Sequence, residues 1–356
     1  MSSAHYTLNP FMKISVSPKL QCDLLLESVT YDLPGPAYVS LMAKVKKPQP
    51  KAEILSLISD TLPAAPAEEI FNDLLENHVL VNDHYNLEEM KGVEHWINRG
   101  WIEGLILHLK TRNISFSDTR GDAAFSTRAA LEDVIAREGL PDIWKHYESA
   151  ETVNLLSPEP MPDKSLEEVL LKRRSNRPWR HETMSLADLS SILHHANIEG
   201  CRVRTELEQS VGENPELLLN SSFTALETYC LVLSVESIKP GLYHYNMKNH
   251  ELELIREGLF RDEITKCCIG QSRPHGASCI FMISAVWDRF MYRYRHPRAY
   301  RTLLTNVAEL GHKYLLLGTS LRLSTFMTPA FNDKYVDDFM GFNGYDEAVL
   351  YAIGLG

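Results

Sequence analysis

Between residues 52 and 83 the apolar positions fall into three groups. Ile54, Leu55, Leu57 and Ile58 recur at helical spacing, Ile70, Leu74 and Leu75 do so again after a Pro-containing break, and Val79, Leu80 and Val81 run consecutively. This spacing predicts a helix, a turn, a second helix and a strand. Short apolar segments over 12–35 predict strands before them. The order is that of a winged-helix unit, and equally that of a structural helical appendage. A DNA-reading second helix would be basic; "AEEIFNDLLEN" is acidic, so the sequence points to a protein or peptide partner.

Further along, Trp96, Trp101 and Trp144 stand at helical spacing without a motif. The proline-rich "LSPEPMPDK" reads as a linker and divides the chain into residues 1–155 and 160–356. Ser165 with Glu168 three positions later is a capping-box signature, followed by the stripe Leu166, Val169 and Leu170; that helix is expected to end near Asn176 and Pro178. Ser185 with Asp188 starts another, whose end is read at His194 and His195, where imidazoles would complement the helix dipole. "TYCLVLSVES" predicts a strand, "GLYHYN" and "ELELIRE" a hairpin, 261–268 a short helix, "SCIFMISAVW" a strand, 299–321 a long helix and "AVLYAIGLG" a last strand. Helices mixed with hairpin-joined strands indicate an α+β fold.

At 356 residues the chain suits two domains, or one with a large appendage. A net charge of -11 argues against nucleic acid as partner, because phosphate binding is driven by Lys and Arg. No apolar run is long enough to cross a membrane and no signal peptide is evident, so the expected location is cytoplasmic. Cys22, Cys201, Cys230, Cys267, Cys268 and Cys279 form no CxxC pair and read as buried thiols. Glu309 and His312 stand three apart on the long helix, but no further ligand accompanies them and no metal is expected.

Against this acidic background, "LKRRSNRPWR" at 171–180 packs five positive side chains into ten positions. Arginine forks beside a hydroxyl are suited to grip a phosphate monoester. A solvated basic face is the bland alternative.

Four stretches in order, "RRSNRPW", "PGLYHYN", "RYRHPRAYRTLLTNVAELGHKYLLLGTSL" and "DEAVLYAIGLG", make the second domain resemble the nitroreductase-like FMN enzymes. More narrowly it resembles the SagB-type dehydrogenases, which oxidise azoline rings in ribosomally made peptides. The first domain resembles the winged-helix leader-binding unit of such enzymes. The resemblance implies FMN as cofactor, its phosphate held by Arg173, Ser175 and Arg177 with Arg174 nearby. It implies that Asn220, Ser221 and Ser222 occupy the place of a Pro-Ser-Ala-Gly turn against the flavin, whose Pro and Gly are missing here. Thr328, Pro329 and Ala330 in "MTPAFND" match the family's loop beside the flavin ring, where backbone N–H groups would reach its N5 edge.

The family's Lys-Tyr pair is Arg293-Tyr294 in this chain. Arginine stays protonated and cannot accept the substrate proton. Three options stand open: Tyr294 is the base, with the Arg293 charge favouring its phenolate; His296 is; or the reaction differs. Arg293 simply pairing with an acidic neighbour is an equal alternative to a catalytic role for it.

The resemblance thus implies an FMN-dependent azoline dehydrogenase, a homodimer with flavin at the dimer interface, acting on a modified precursor peptide with a partner cyclodehydratase. Dioxygen is the expected reoxidant, since no nicotinamide-binding Gly-rich turn is present. The competing readings are an FMN oxidoreductase for another, such as carrier-bound, intermediate, and an inactive scaffold or leader-binding subunit of a synthetase complex.

Overall fold

The computed structural model describes residues 4–356 apart from 28, 65, 83–84, 86, 113–127 and 181–182, and omits the side chains of 87–92, 130 and 219–223. The chain forms two compact units, Met1–Ser115 and Phe116–Gly356.

In the first unit, β1 (His5–Leu8) is followed by the meander β2 (Met12–Ser15), β3 (Gln21–Leu24) and β4 (Val29–Asp32). Then come α1 (Pro36–Lys44), β5 (Gln49–Pro50), α2 (Lys51–Thr61), α3 (Ala67–Glu76), β6 (Leu80–Asn82), α4 (Leu87–Asn98) and α5 (Ile102–Thr111). β1 pairs antiparallel with both β5 and β6, which closes a three-stranded sheet beside the helices. Prolines at 50 and 66 precede α2 and α3, where a missing N–H costs nothing. Ile54, Ile58, Phe71, Leu74 and Leu80 bury the faces that the sequence periodicity marks. The sequence reading did not include α1 and β1.

The second unit opens with α6 (Arg128–Glu138), β7 (Thr152–Asn154), α7 (Leu166–Lys172) and α8 (Leu186–Ser210). β8 (Leu226–Val232), β9 (Gly241–Asn246), β10 (Glu251–Glu257), α9 (Arg261–Cys267), β11 (Cys279–Val286), α10 (Trp287–Arg293) and α11 (Tyr300–Ser320) come next, before β12 (Thr325–Thr328), α12 (Asp333–Met340) and β13 (Glu347–Leu355). Seven strands form one antiparallel sheet in the order β12-β13-β11-β8-β9-β10-β7. On β8, Leu226, Cys230 and Val232 face a core with α8 and α11, while Tyr229 and Leu231 face one with α9 and α12. Both faces are covered, so β8 reads as a nearly continuous apolar run. α11 approaches β13 closely through two glycines: a Cβ at Gly311 would stand 2.6 Å from the Tyr351 ring, and one at Gly318 2.7 Å from Leu355.

Two sequence expectations change. The division lies at 115/116 rather than at 155–160: Leu131 and Val134 of α6 pack on Val203 and Leu207 of α8, and β7 extends the sheet beside β10. The proline-rich stretch is therefore an extended crossing inside the second unit, where the Glu159 N–H donates to Ser191 Oγ and Lys164 donates to the Ser320 carbonyl. Prolines exclude regular elements without implying a domain boundary. His194 and His195 do not end a helix either. They sit within the 25-residue α8, which continues because its apolar stripe does, through Ala196, Val203 and Leu207.

Candidate functional site

The arginine run is a loop with a fixed backbone. The Ser165 hydroxyl accepts from the Glu168 N–H and starts α7 as the capping box predicts; α7 stops at Lys172, earlier than expected, and Arg173 turns extended. The carbonyls beyond it are held one by one. Arg174's accepts from Thr325 Oγ1 at 3.2 Å, Ser175's from Arg273 Nη2 at 3.2 Å and Pro178's from Ser324 Oγ at 2.8 Å. Trp179, 9% exposed, donates its indole N–H to the Arg273 carbonyl at 2.9 Å. It lies so close to Gly276 that a Cβ there would stand 2.3 Å from the ring.

Arg173 Nη1 donates to Ser175 Oγ at 3.2 Å, and Arg174 and Arg177 are exposed. Among the described residues Arg173, Arg174 and Arg177 have no carboxylate partner; nothing neutralises the cluster, and a dianion would. The loop thus fits a phosphate monoester.

Thr328 to Ala330 lie at the end of β12, next in the chain to Ser324 and Thr325, which hold this loop. The buried Thr328 hydroxyl accepts from Gln271 Nε2 at 3.0 Å and from the Ala330 N–H at 3.1 Å. Pro329 has no N–H, and that of Ala330 is engaged within the loop. In this structure the Ala330 N–H is thus turned onto Thr328.

A second group stands apart. Tyr294 caps α10, its ring 4.8 Å from that of Phe290, and the Arg293 guanidinium lies 4.9 Å from the Tyr294 centroid. The 3-10 segment Pro215–Ala225, which carries Asn220, Ser221 and Ser222, packs against α10; the side chains of those three lie outside the described residues. A pocket of about 290 Å³ opens here, lined among others by Leu140, Trp144, Leu207, Arg289 and Tyr292. The arginine loop and β12 lie near the C-terminal end of α11, and Tyr294 shortly precedes its N-terminal end. The helix has 21 residues, which at a rise of 1.5 Å places its ends about 30 Å apart.

The second group rests on a buried ionic network that the sequence reading missed. Glu227 on β8, 1% exposed, accepts from Arg204 of α8 at 3.1 Å and from Arg289 of α10. Both guanidiniums also hold the Thr224 carbonyl, at the end of the 3-10 segment. His244 on β9 bridges Glu227 at 3.2 Å and Glu253 of β10 at 2.8 Å. Glu347 of β13 accepts from Lys145, Ser284 and Tyr229. The available signal was a charged or polar residue at interior strand positions in "LETYC", "LYHYN" and "LELIRE".

Burial alone would raise the Glu253 pKa, but hydrogen bonds from His244, Asn246 and His146 hold it at about 2. Burial raises that of Glu227 too, and Arg204, His244 and Arg289 bring it well below the usual carboxylate range. For His244, burial works downward and is outweighed by bonds to Glu227 and Glu253, so its pKa is raised. The carboxylates' contribution is present above their unfolded pKa near about 4.3 and lost as pH falls through the depressed values. That of His244 is complete below about pH 6.5 and lost as pH rises through its raised value. Thermal denaturation across pH is expected to show this network contributing most between about pH 4.5 and 6.5; His244→Gln should remove the alkaline decline, and an unchanged profile would contradict the assignment.

Glu309 pairs with Lys313 at 3.1 Å, and no metal-holding group of three ligands exists among the described residues. All six cysteines are free, five of them buried.

The nitroreductase family pattern matches residues 170–356. This chain belongs to the nitroreductase family. It is 29% identical to the trifolitoxin operon protein TfxC of Rhizobium leguminosarum bv. trifolii, over 98% of this chain and 99% of that one. It is 24% identical to the trifolitoxin-processing protein TfxB of the same organism, over 33% of this chain and 32% of that one. A crystal structure from Anabaena variabilis, described as a nitroreductase, superposes with a TM-score of 0.50 at 24% identity, over 69% of this chain and 49% of the other. The second unit is thus a nitroreductase fold of mixed helix and sheet, in a family that typically binds flavin. Among the described residues no helix is long and apolar enough to cross a membrane.

Proposed function

We propose that this nitroreductase is an FMN-dependent, SagB-type dehydrogenase that oxidises azoline rings to azoles in a modified precursor peptide delivered by a partner cyclodehydratase. The carrying observation is the backbone-locked arginine loop, which has no carboxylate partner among the described residues, inside the family's domain. End-to-end similarity to a trifolitoxin operon protein supports a peptide substrate.

Arg173, Ser175 and Arg177, with Arg174 at the rim, hold the phosphate. Bound flavin supplies the two-electron acceptor for hydride leaving the azoline ring. Tyr294, as its phenolate, takes the accompanying proton at its oxygen, with the Arg293 guanidinium 4.9 Å from the ring centroid. The pocket beside α10 gives a neighbouring part of the peptide a place. Since the phosphate grip and Tyr294 lie near opposite ends of α11, we assign the flavin site to a homodimer. Each site then takes the arginine loop from one protomer and Tyr294, with the 220–222 segment, from its partner. The first unit we assign as a winged-helix-like peptide or partner binder. Glu68, Glu69, Asp73 and Glu76 expose an acidic face on α3, which disfavours nucleic acid.

Arginine in place of the family's lysine favours a second reading, the same chemistry on another, for instance carrier-bound, intermediate. The first experiment is the visible spectrum of the purified protein with mass analysis of the released flavin. Flavin bands with released FMN are expected, and incubation with a cyclised peptide should then leave it two hydrogens lighter. A colourless protein that takes up no added FMN would refute the assignment and leave a binding module. Flavin without peptide oxidation would favour the second reading.

A further inference from the structure

We propose that Arg273, outside the arginine run, completes the phosphate grip and makes the site select phosphorylated over unphosphorylated flavin. This rests on the reading of residues 173–177 as the FMN phosphate site. Arg273 begins the short turn before β11, nearly a hundred positions along the chain, yet its Nη2 lies 3.2 Å from the Ser175 carbonyl. Arg173 reaches the hydroxyl of that same serine at 3.2 Å. Two guanidiniums therefore converge on one residue. Neither has a carboxylate partner among the described residues, and an anion bound beside Ser175 would give both a counter-charge.

The Arg273 side chain is held ready for such a ligand. Its guanidinium lies 4.6 Å from the Trp179 centroid, and its backbone carbonyl accepts the Trp179 N–H at 2.9 Å. Stacking fixes the plane of the fork and limits the entropy lost on binding. Its hydrogen-bonding capacity is underused: one Nη2 bond is made, and Nε is buried without an acceptor. Desolvation holds its pKa below the ordinary arginine value, as expected for a charge withdrawn from water without a counter-charge. A purely structural rivet on Trp179 would need the flat group but gain nothing from an uncompensated charge.

The test is titration of flavin-stripped full-length protein with FMN and with riboflavin, followed by flavin fluorescence, for wild type, Arg173→Ala, Arg273→Ala and Arg273→Lys. Arg273→Ala is expected to weaken FMN binding about tenfold to a hundredfold with riboflavin affinity unchanged. Arg273→Lys should recover part of the loss, because it restores charge without the bidentate fork. Unchanged FMN affinity in Arg273→Ala overturns the proposal, as does equal weakening of both flavins, which would mark a structural role. If wild type shows no preference for FMN, or Arg173→Ala does not reduce that preference, the underlying phosphate-site reading fails instead. Should Arg273→Ala fold poorly, Arg273→Lys carries the test through the same ratio.

Discussion

Tyr294→Phe is expected to lower azoline oxidation by at least about a hundredfold while FMN stays bound, since a positioned proton acceptor contributes about 10²–10⁴ in rate. The phenol ring stays packed on Phe290 and under Arg293 in the variant, so only the hydroxyl is lost. Full turnover would remove Tyr294 from the mechanism and make His296 the next residue to replace. The same variant tests the two-chain site. In a mixed dimer of an Arg173→Ala protomer with a Tyr294→Phe protomer, one site carries both lesions and the other neither, so activity should return on mixing two inactive proteins. If each site were built within one chain, both sites of the mixed dimer would carry a lesion. No recovery, despite demonstrated subunit exchange, would exclude the shared arrangement.

Glu227→Ala should cost about 3–5 kcal/mol, because it leaves Arg204 and Arg289 buried without their counter-charge. For a unit of this size that corresponds to a melting temperature lower by on the order of 10 °C. The loss should also reach the site, since Arg204 and Arg289 hold the Thr224 carbonyl and α10 leads directly into Arg293 and Tyr294. Residual activity at low temperature should fall, and FMN affinity should fall less than in Arg173→Ala, because the phosphate grip itself is untouched. Near-UV circular dichroism and FMN titration together check this, and a melting temperature within a few degrees of wild type would show that the two guanidiniums find water instead.

Much of the second unit was legible in advance. The serines at 165 and 185 cap helices as their spacing predicts, each accepting from the N–H three residues on. The hairpin, the long helix and the last strand also fall where the pattern placed them. These are local signals: a hydroxyl three residues from an unpaired N–H, or an apolar face repeating at 3.6 or 2 positions, acts within one element. The extent of α8 was misjudged, because its apolar stripe persists past the two histidines. The domain division was misplaced, because prolines exclude regular structure without saying what packs on either side.

By itself the sequence determined the α+β composition, the start of most helices, the concentration of positive charge at 171–180 and the family likeness. Tertiary structure alone decided which distant residues share a site: Arg273 beside Ser175, and Thr325 and Ser324 on the loop's carbonyls, while Tyr294 lies near the far end of α11. It alone showed that Glu227, His244 and Glu253, one on each of three neighbouring strands, form a single network. The physical reason is that a guanidinium or carboxylate acts over a few ångströms in space, and which groups come that close is set by strand order and helix packing rather than by separation along the chain.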